Sequence, residues 1–144
     1  MPIQYHPQYG SIVCVRFEPG FTEPEMVKRR LCIVLSRATG GRDNLVTVVP
    51  LSKTKPTYVK PYHMPLLIPF DLPESWGAHE RWVKGDMVYS VGFHRVELLR
   101  LGKSASGRDY QKTPLPGDML RSVQKCVLHG LGMSSLVKHV DPPT

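Results

Sequence analysis

Apolar residues along the chain fall into short runs that are separated by glycine, proline and polar clusters. Three such runs, residues 10–19, 31–36 and 45–52, predict β-strands, and the first two are apolar on both faces. Strands of that kind are usually covered on both sides of a sheet. The stretch 37–44, rich in glycine and polar residues, predicts the turn of a hairpin between the second and third strands.

Proline sets the pattern in the middle of the chain, between Lys53 and Arg81. Because proline breaks helices and central strands, its recurrence there predicts a long surface loop with short extended pieces, such as residues 63–70. Strand character returns at 81–92. The next stretch, 93–103, fits either a strand or a short helical turn, and a further loop is predicted after it, over 104–117.

Helical spacing of apolar residues appears at 118–133, near the C-terminus. Asp118 is suited to cap the start of this helix, and Gly130 is suited to cap its end. The chain is therefore predicted to be mainly β with a C-terminal α-helix, arranged as a small antiparallel barrel.

The length of 144 residues fits a single domain. We predict one domain over 1–144, with a core at about 10–132, a long proline-rich loop at 53–81 and a C-terminal tail at 133–144 whose end is frayed. No apolar run approaches the ~18–20 residues that cross a bilayer. The N-terminus also lacks the pattern of a secretory signal, so no membrane association and a cytoplasmic location are expected.

The formal charge of +7 and the pI of about 9.5 predict attraction to polyanions, with nucleic acid as the first candidate. The sequence lacks the phosphate-binding loop, the HExxH zinc motif and the GxSxG nucleophile elbow. Its histidines are scattered, so no metal site and no cofactor are expected. The widely spaced Cys14, Cys32 and Cys126 are predicted to be buried, reduced thiols.

Cations and hydroxyls at predicted strand ends have two interpretations: they are solvated strand ends, or they are the parts of a site that cleaves RNA without a metal. A block of three cations ends at Arg30, directly before the second strand, while Ser52 ends the third strand and Lys84 precedes Asp86 by two positions. Metal-free cleavage of RNA must deprotonate a 2′-hydroxyl, stabilise the charge on the phosphorane and protonate the 5′-oxygen. Arginine suits the second task, because its planar fork binds two phosphate oxygens and stays charged.

These segments resemble the MazF/PemK/Kid ribonuclease toxins of bacterial toxin–antitoxin systems. "GSIVCVRFEP" (10–19) is similar to the opening strand of that family, and "RRLCIVLS" (29–36) to its second strand. "VVPLS" (48–52) and "VKGDMVYS" (83–90) resemble two later segments, and the resemblance runs to about Gly132. It implies a small SH3-like antiparallel β-barrel that is closed by a C-terminal helix.

The resemblance also implies roles for individual residues. The family's catalytic arginine falls on Arg30, and its catalytic threonine falls on Ser52. Its acid falls on Asp86, and the neighbouring cation on Lys84. Three further cations are expected to bind the RNA backbone: Lys28, Arg29 and Lys53.

The activity implied by the resemblance is metal-independent cleavage of single-stranded RNA that leaves a 2′,3′-cyclic phosphate. The implied partners are a second copy of the chain, in a homodimer, and an acidic antitoxin protein that covers the basic groove. Single strands suit such a site because their unpaired bases can be splayed and read. Four aromatic residues in or beside the proline-rich loop are candidate stacking platforms: Tyr58, Tyr62, Trp76 and Trp82.

Two questions stay open at this level. The residue that accepts the 2′ proton is Asp86, Ser52 or a histidine such as His94. The second question is whether the chain is an enzyme, because Ser11, Leu31, Ser52 and Lys84 depart from the family pattern. The alternative hypothesis is a catalytically inactive β-barrel module that binds nucleic acid or a protein partner.

Overall fold

The computed structural model describes residues 2–39, 42–104 and 107–142. Within these residues the chain forms nine strands and one α-helix. Their bounds are β1 Ile12–Arg16, β2 Arg29–Val34, β3 Leu45–Ser52, β4 His63–Leu67, β5 Glu80–Lys84, β6 Tyr89–Gly92, β7 Val96–Leu98, β8 Arg100–Ser104, β9 Gly107–Tyr110 and α1 Gly117–Gly130.

Seven of the strands form one antiparallel sheet in the order β4–β5–β3–β2–β1–β7, with β6 also paired to β3. The sheet divides at β3, whose first half, Leu45 to Val48, pairs with β6 and whose last residues, Leu51 and Ser52, pair with β5. In the described part of the chain no pairing joins β4 to β7, so the barrel is open. The predicted class, mainly β with a C-terminal helix, is confirmed.

Apolar side chains cover both faces of the central strands, as the sequence pattern predicted. One core cluster contains Ile12 and Leu31 and packs against α1 through Val123. The other contains Val13, Phe17 and further alternating residues of β1, β2 and β3. Because alternate residues of a strand point to opposite sides, the face of each remaining polar residue follows from these two clusters.

The cysteines are free and buried, as predicted. Burial raises the pKa of each thiol, and that of Cys126 reaches about 11. A buried thiol that stays protonated is a small apolar group and a poor nucleophile. The three cysteines therefore serve as small apolar groups in the core, and this role needs no redox chemistry.

Several predicted boundaries need correction. β1 is shorter than the predicted 10–19, and β2 begins at Arg29 rather than at residue 31, so Arg29 and Arg30 lie within the strand. The predicted strand 81–92 is two strands, β5 and β6, because a turn in which the Met87 amide donates to the Lys84 carbonyl (2.9 Å) interrupts it. The ambiguous stretch 93–103 contains both alternatives, a 3-10 turn at Phe93–Arg95 and then β7 and β8.

The predicted loop 104–117 contains β9, which pairs with β8 in a separate two-stranded sheet. The loop prediction was wrong for that segment, because its few apolar residues gave no strand signal and its pairing is with the preceding strand alone. Ala105 and Ser106 of this predicted loop, like Gly40 and Gly41 of the predicted turn, lie outside the described residues.

The predicted helix caps were also wrong. α1 begins after Pro116, without a side-chain cap, and Asp118 lies inside the first turn, where its charge still suits the helix dipole. Gly130 is the last helical residue rather than a cap beyond it, and the positive φ of 74° belongs to Gly132. None of the helices in the described ranges is long and apolar enough to cross a membrane.

The C-terminal tail begins with regular structure. Ser134–His139 forms a 3-10 helix. The Lys125 ammonium and the Asp141 carboxylate form an ion pair of 2.7 Å that ties the tail to α1. The last two residues, 143 and 144, lie outside the described residues.

Candidate active site

The adjacent arginines at the start of β2 lie on opposite faces of the sheet. Arg30 is the register partner of Val15, and Arg29 is the register partner of Arg16. Val15 belongs to one core cluster, whereas the next residue along β2, Leu31, belongs to the other. The cation block that the sequence presented as a unit is therefore divided between two surfaces.

Register brings Arg30 and Ser52 together. The pairing of Cys32 with Pro50, continued by two residues along each antiparallel strand, places Arg30 opposite Ser52. Arg30 alternates with Cys32, and Ser52 alternates with Pro50, so both side chains leave the same face. We call this surface the Arg30 face.

The next two strands extend the Arg30 face. Ser52 pairs with Trp82 on β5, and Lys84, two residues further along β5, pairs with His63 on β4. Paired and alternating residues share a face, so these three side chains join Arg30 and Ser52. Three of the four predicted catalytic residues therefore share one face, at the ends of adjacent strands.

Arg30 is half-buried and held by the loop that precedes β2. Its Nε donates to the Val27 carbonyl at 3.2 Å, and the neighbouring Met26 amide donates to the Tyr89 hydroxyl at 2.8 Å. Tyr89 is fixed in turn by ring contacts with Phe17 and Phe21, at centroid distances of 5.2 and 5.6 Å. The chain of contacts from the core to Val27 sets the direction of the guanidinium.

Removal of the Tyr89 hydroxyl tests this support. In Tyr89→Phe the Met26 amide loses its acceptor, so we expect a loss of about 1–2 kcal/mol in the free energy of unfolding. Urea denaturation measures this loss, with Tyr58→Phe as the control, because the Tyr58 side chain is 77% exposed. Equal effects of both variants would contradict the proposed support.

Ser52 is held by a local turn rather than by another residue of the Arg30 face. Its Oγ accepts a hydrogen bond from the Thr54 amide (3.1 Å) and donates to the Thr54 carbonyl (3.4 Å). This turn restricts the rotamer of the serine, which lacks the methyl group that restricts threonine. The Ser52 hydroxyl can donate a hydrogen bond to a phosphate only if it gives up its 3.4 Å hydrogen bond to the Thr54 carbonyl.

The part of the Arg30 face formed by β4 and β5 carries a small cluster of titratable groups. Burial, aided by the Lys84 charge, lowers the pKa of His63, and the opposite charge of Asp86 partly offsets this. The His63 Nδ1 accepts a hydrogen bond from the Lys60 amide at 3.1 Å, so the neutral ring carries its proton on Nε2. Asp86 is exposed, and its charge also acts on Tyr89. The Asp86 charge is therefore felt at both His63 and Tyr89.

The lowered pKa of His63 predicts a pH dependence of stability. Below about pH 6.5 the unfolded chain binds a proton that folded His63 binds less readily, so stability is lost as the pH falls through that value. Urea unfolding midpoints at about pH 7.5 and about pH 5.5 test this for the wild type and His63→Asn. We expect the variant to lose less stability on acidification. Parallel losses would contradict the assignment.

The remaining predicted residues are distributed around this site. Lys28 and Arg29 lie by the other face, in a pocket with Trp76. Lys53 is exposed. Its Nζ lies beside Gly77, 3.8 Å from the position that a Cβ on this glycine would occupy. The His94 ring lies against Gly92, which pairs with the first residue of β3. About 23 Å of strand separates that end from Ser52, so His94 does not join the Arg30 face.

The cations of the Arg30 face have no carboxylate partner in ion-pair contact. In the described part of the chain the only ion pair is that of Lys125 with Asp141, on the helix and the tail.

Sequence reasoning missed His63 and Tyr89, since their place at the site depends on strand register. The residues of β4 and β6 could be read from the sequence, but the strands that pair with β4 and β6 could not.

Comparisons with known proteins identify the family of this chain. Residues 8–114 match the sequence model of the PemK-like, MazF-like toxins of type II toxin–antitoxin systems. An uncharacterized protein of Haemophilus influenzae is 30% identical over 135 residues, which cover 90% of this chain and 87% of that protein. The uncharacterized Escherichia coli K12 protein YifN is 29% identical over 155 residues, covering 95% and 99%. The chain therefore belongs to the PemK-like, MazF-like toxin family.

Solved structures support the same assignment. MazF of Deinococcus radiodurans is 26% identical, with a TM-score of 0.59 over 90% of this chain and all of that one. The MazE–MazF structure of the same organism matches with a TM-score of 0.55, at 26% identity over 91% and 100% of the two chains. A mycobacterial endoribonuclease in complex with its cognate antitoxin is 14% identical, with a TM-score of 0.57 over 89% and 97%, and shows the fold alone.

Proposed function

We propose that the protein is a metal-independent endoribonuclease toxin that cleaves single-stranded RNA on the Arg30 face. The observation that carries the proposal is the placement of Arg30, Ser52 and Lys84 on one face by strand register. Membership of the toxin family adds the reaction class. The cations in this arrangement are suited to a phosphate, because no described carboxylate forms an ion pair with them.

In the proposed reaction the 2′-oxygen of one nucleotide attacks the phosphorus that links it to the next. The new 2′-O–P bond forms while the bond from phosphorus to the 5′-oxygen breaks, and the departing 5′-oxygen takes a proton from water. The products are a 2′,3′-cyclic phosphate and a free 5′-hydroxyl. Arg30 stabilises the negative charge that builds up on the phosphorane oxygens. Lys84 adds a second positive charge from β5.

The proton transfers are assigned by elimination among the three candidates. His94 lies at the other end of β3, and the Ser52 hydroxyl is engaged with Thr54. Asp86 remains as the group that accepts the 2′ proton, because it is exposed and lies near Lys84 and His63. His63 binds the Lys60 amide through Nδ1 and therefore shapes the loop beside the site rather than accepting the proton.

The proposal includes partners. An acidic antitoxin segment would bind the same cations and compete with RNA. The similar MazE–MazF structure from Deinococcus radiodurans supports an antitoxin partner. Both contacts would weaken with salt, since both release counterions from exposed charges. A homodimer and a cytoplasmic location, where RNA is encountered, complete the proposal.

A cleavage assay tests the proposed activity. Purified protein is incubated with a long single-stranded RNA of mixed sequence in EDTA, and the fragment ends are identified by mass spectrometry. We expect discrete fragments with 2′,3′-cyclic phosphate at one end and 5′-hydroxyl at the other. Intact RNA at protein concentrations that retard it on a gel would overturn the activity and support a binding module.

The binding module is a second candidate because of one observation. The Ser52 hydroxyl, which stands where the family has a catalytic threonine, makes both of its hydrogen bonds to Thr54. Ser52→Ala separates the candidates. An enzyme whose Ser52 hydroxyl donates to the phosphate cleaves RNA and loses turnover in the variant, whereas a binding module cleaves RNA in neither form and keeps its affinity in both.

A further inference from the structure

The face opposite to the Arg30 face carries a second cationic surface. Arg16 and Arg29 are direct register partners at the ends of β1 and β2, and both side chains are exposed. Like charges directly opposite each other on a sheet are destabilising. Neither forms an ion pair with a described carboxylate, so an anion between them would relieve the repulsion.

An aromatic ring completes this surface. A cavity of about 460 Å³, which we call the Arg29 pocket, is lined by Arg16, Glu18, Lys28, Arg29 and Trp76. Its volume lies within the range of about 300–1,000 Å³ that is usual for small-ligand sites. The Arg29 guanidinium lies over the Trp76 ring, 5.8 Å from the centroid.

The backbone of Trp76 is held in place from the core, and its side chain packs against the core cluster that contains Ile12 and Leu31. The Trp76 carbonyl accepts a hydrogen bond from Nη2 of Arg81, a side chain that is only 3% exposed. The Trp76 amide donates to the Pro73 carbonyl at 2.9 Å, within the short 3-10 helix. Pre-positioned aromatic and guanidinium planes reduce the ordering cost of stacking a planar ligand.

We propose that the Arg29 pocket binds one nucleotide of single-stranded RNA next to the cleaved position. Its phosphate lies between Arg16 and Arg29, and its base stacks on Trp76 and the guanidinium above it. Arg29 and Arg30 are adjacent on β2, so one RNA strand that passes the strand mouth contacts both faces. This inference rests on the proposed function and adds to it a flanking subsite.

The acidic residues around the pocket favour a nucleotide over an acidic peptide. Glu18 lines the cavity, and the charge of Glu97 acts on Arg29. A carboxylate repels an acidic peptide and a phosphate alike, but it also accepts hydrogen bonds from the amino group of a base, as in contacts to cytosine, and an acidic peptide offers no such base. The pocket is therefore expected to prefer cytidine, which has an exocyclic amino group, over uridine.

Tryptophan fluorescence tests the subsite independently of cleavage. The chain contains two tryptophans, so Trp82→Phe leaves Trp76 as the sole reporter. The probe is a 2′-O-methyl heptamer with a 5′-fluorescein. Its 2′-O-methyl groups prevent formation of the cyclic phosphate. We expect saturable quenching of Trp76 by a cytidine heptamer and weaker binding of the uridine heptamer, with the difference reduced in Glu18→Gln.

Variants locate the binding. Arg29→Ala and Trp76→Ala are each expected to weaken anisotropy-detected binding about tenfold, and Arg29→Ala to lower the salt slope by about 1. Lys138→Ala, an exposed cation on the tail helix, is the control and is expected to bind as the wild type does. Circular dichroism establishes that each variant is folded.

Three outcomes would overturn the subsite. These are binding without quenching of Trp76, unchanged affinity in both pocket variants, and equal quenching by a poly-glutamate peptide, which would make the occupant a peptide. None of them depends on RNA cleavage by the wild type, which the EDTA assay measures separately. Failure of the subsite and failure of the proposed activity are thus distinguishable.

Discussion

Replacement of Arg30 by alanine is expected to lower the single-turnover rate of RNA cleavage by about 10²–10³-fold, equivalent to ~3–4 kcal/mol of transition-state stabilisation. The guanidinium is half-buried and fixed by Val27, so its fork is already directed before RNA binds. Groups fixed in this way stabilise the phosphorane without reorganisation. RNA affinity is expected to change little, because exposed cations elsewhere supply most of the attraction.

The neighbouring arginine provides the contrast. Arg29→Ala removes the same charge one residue away but on the opposite face, so it should weaken binding and leave the rate at saturating RNA nearly unchanged. Arg30→Lys is the conservative variant and should recover only part of the rate, because an ammonium lacks the bidentate fork. If Arg30→Ala instead lost affinity and kept its maximal rate, Arg30 would be a binding residue.

Replacement of Gly85 by alanine is expected to cost about 3 kcal/mol in the free energy of unfolding, or about 10 °C in Tm. A Cβ at this position would lie 2.6 Å from the Cys126 carbonyl oxygen on α1 and 2.8 Å from the Tyr62 carbonyl oxygen. Both neighbours are backbone atoms, so relief requires α1 or the loop before β4 to move. Gly130 packs on the same turn, and its Cβ would lie 2.7 Å from the Asp86 Cα.

This close packing links the helix to the site, because Gly85 stands between Lys84 and Asp86. We therefore expect Gly85→Ala to lose activity even at temperatures where it remains folded. Gly117→Ala is the matched control, since its Cβ would meet only the mobile end of Arg121 at 3.3 Å. Alanine there should be neutral or stabilising within about 1 kcal/mol. Differential scanning calorimetry of both variants decides the point, and equal Tm values would refute the packing argument.

The strands of the core could be predicted because their signal is local. The runs that became β1, β2 and β3 are apolar on both faces, and the third was predicted with its observed bounds. The helix was also predicted, but its ends were not. Gly130 resembles a cap in sequence, whereas the structure uses its missing side chain for contact with Gly85.

The site could be predicted only in part, because strand register decides it. Sequence similarity indicated Arg30, Ser52 and Lys84, but it grouped Arg29 with Arg30, which strand alternation places on the other face. His63 was one of several scattered histidines until the pairing of β4 with β5 placed it opposite Lys84. Such pairings join residues that are distant in sequence. Hydrophobic periodicity indicates the face on which a residue lies, but it does not indicate which strand will pair with it.

The most direct test of the central claim is cleavage of one site-mapped RNA in EDTA, with and without a single 2′-deoxy substitution at the cleaved nucleotide. The account predicts that the wild type cuts the all-ribose strand at that site, and that the deoxy strand stays intact there although it binds with the same affinity. Cleavage of the deoxy strand at the mapped site would contradict 2′-hydroxyl attack and, with it, the mechanism assigned to the Arg30 face.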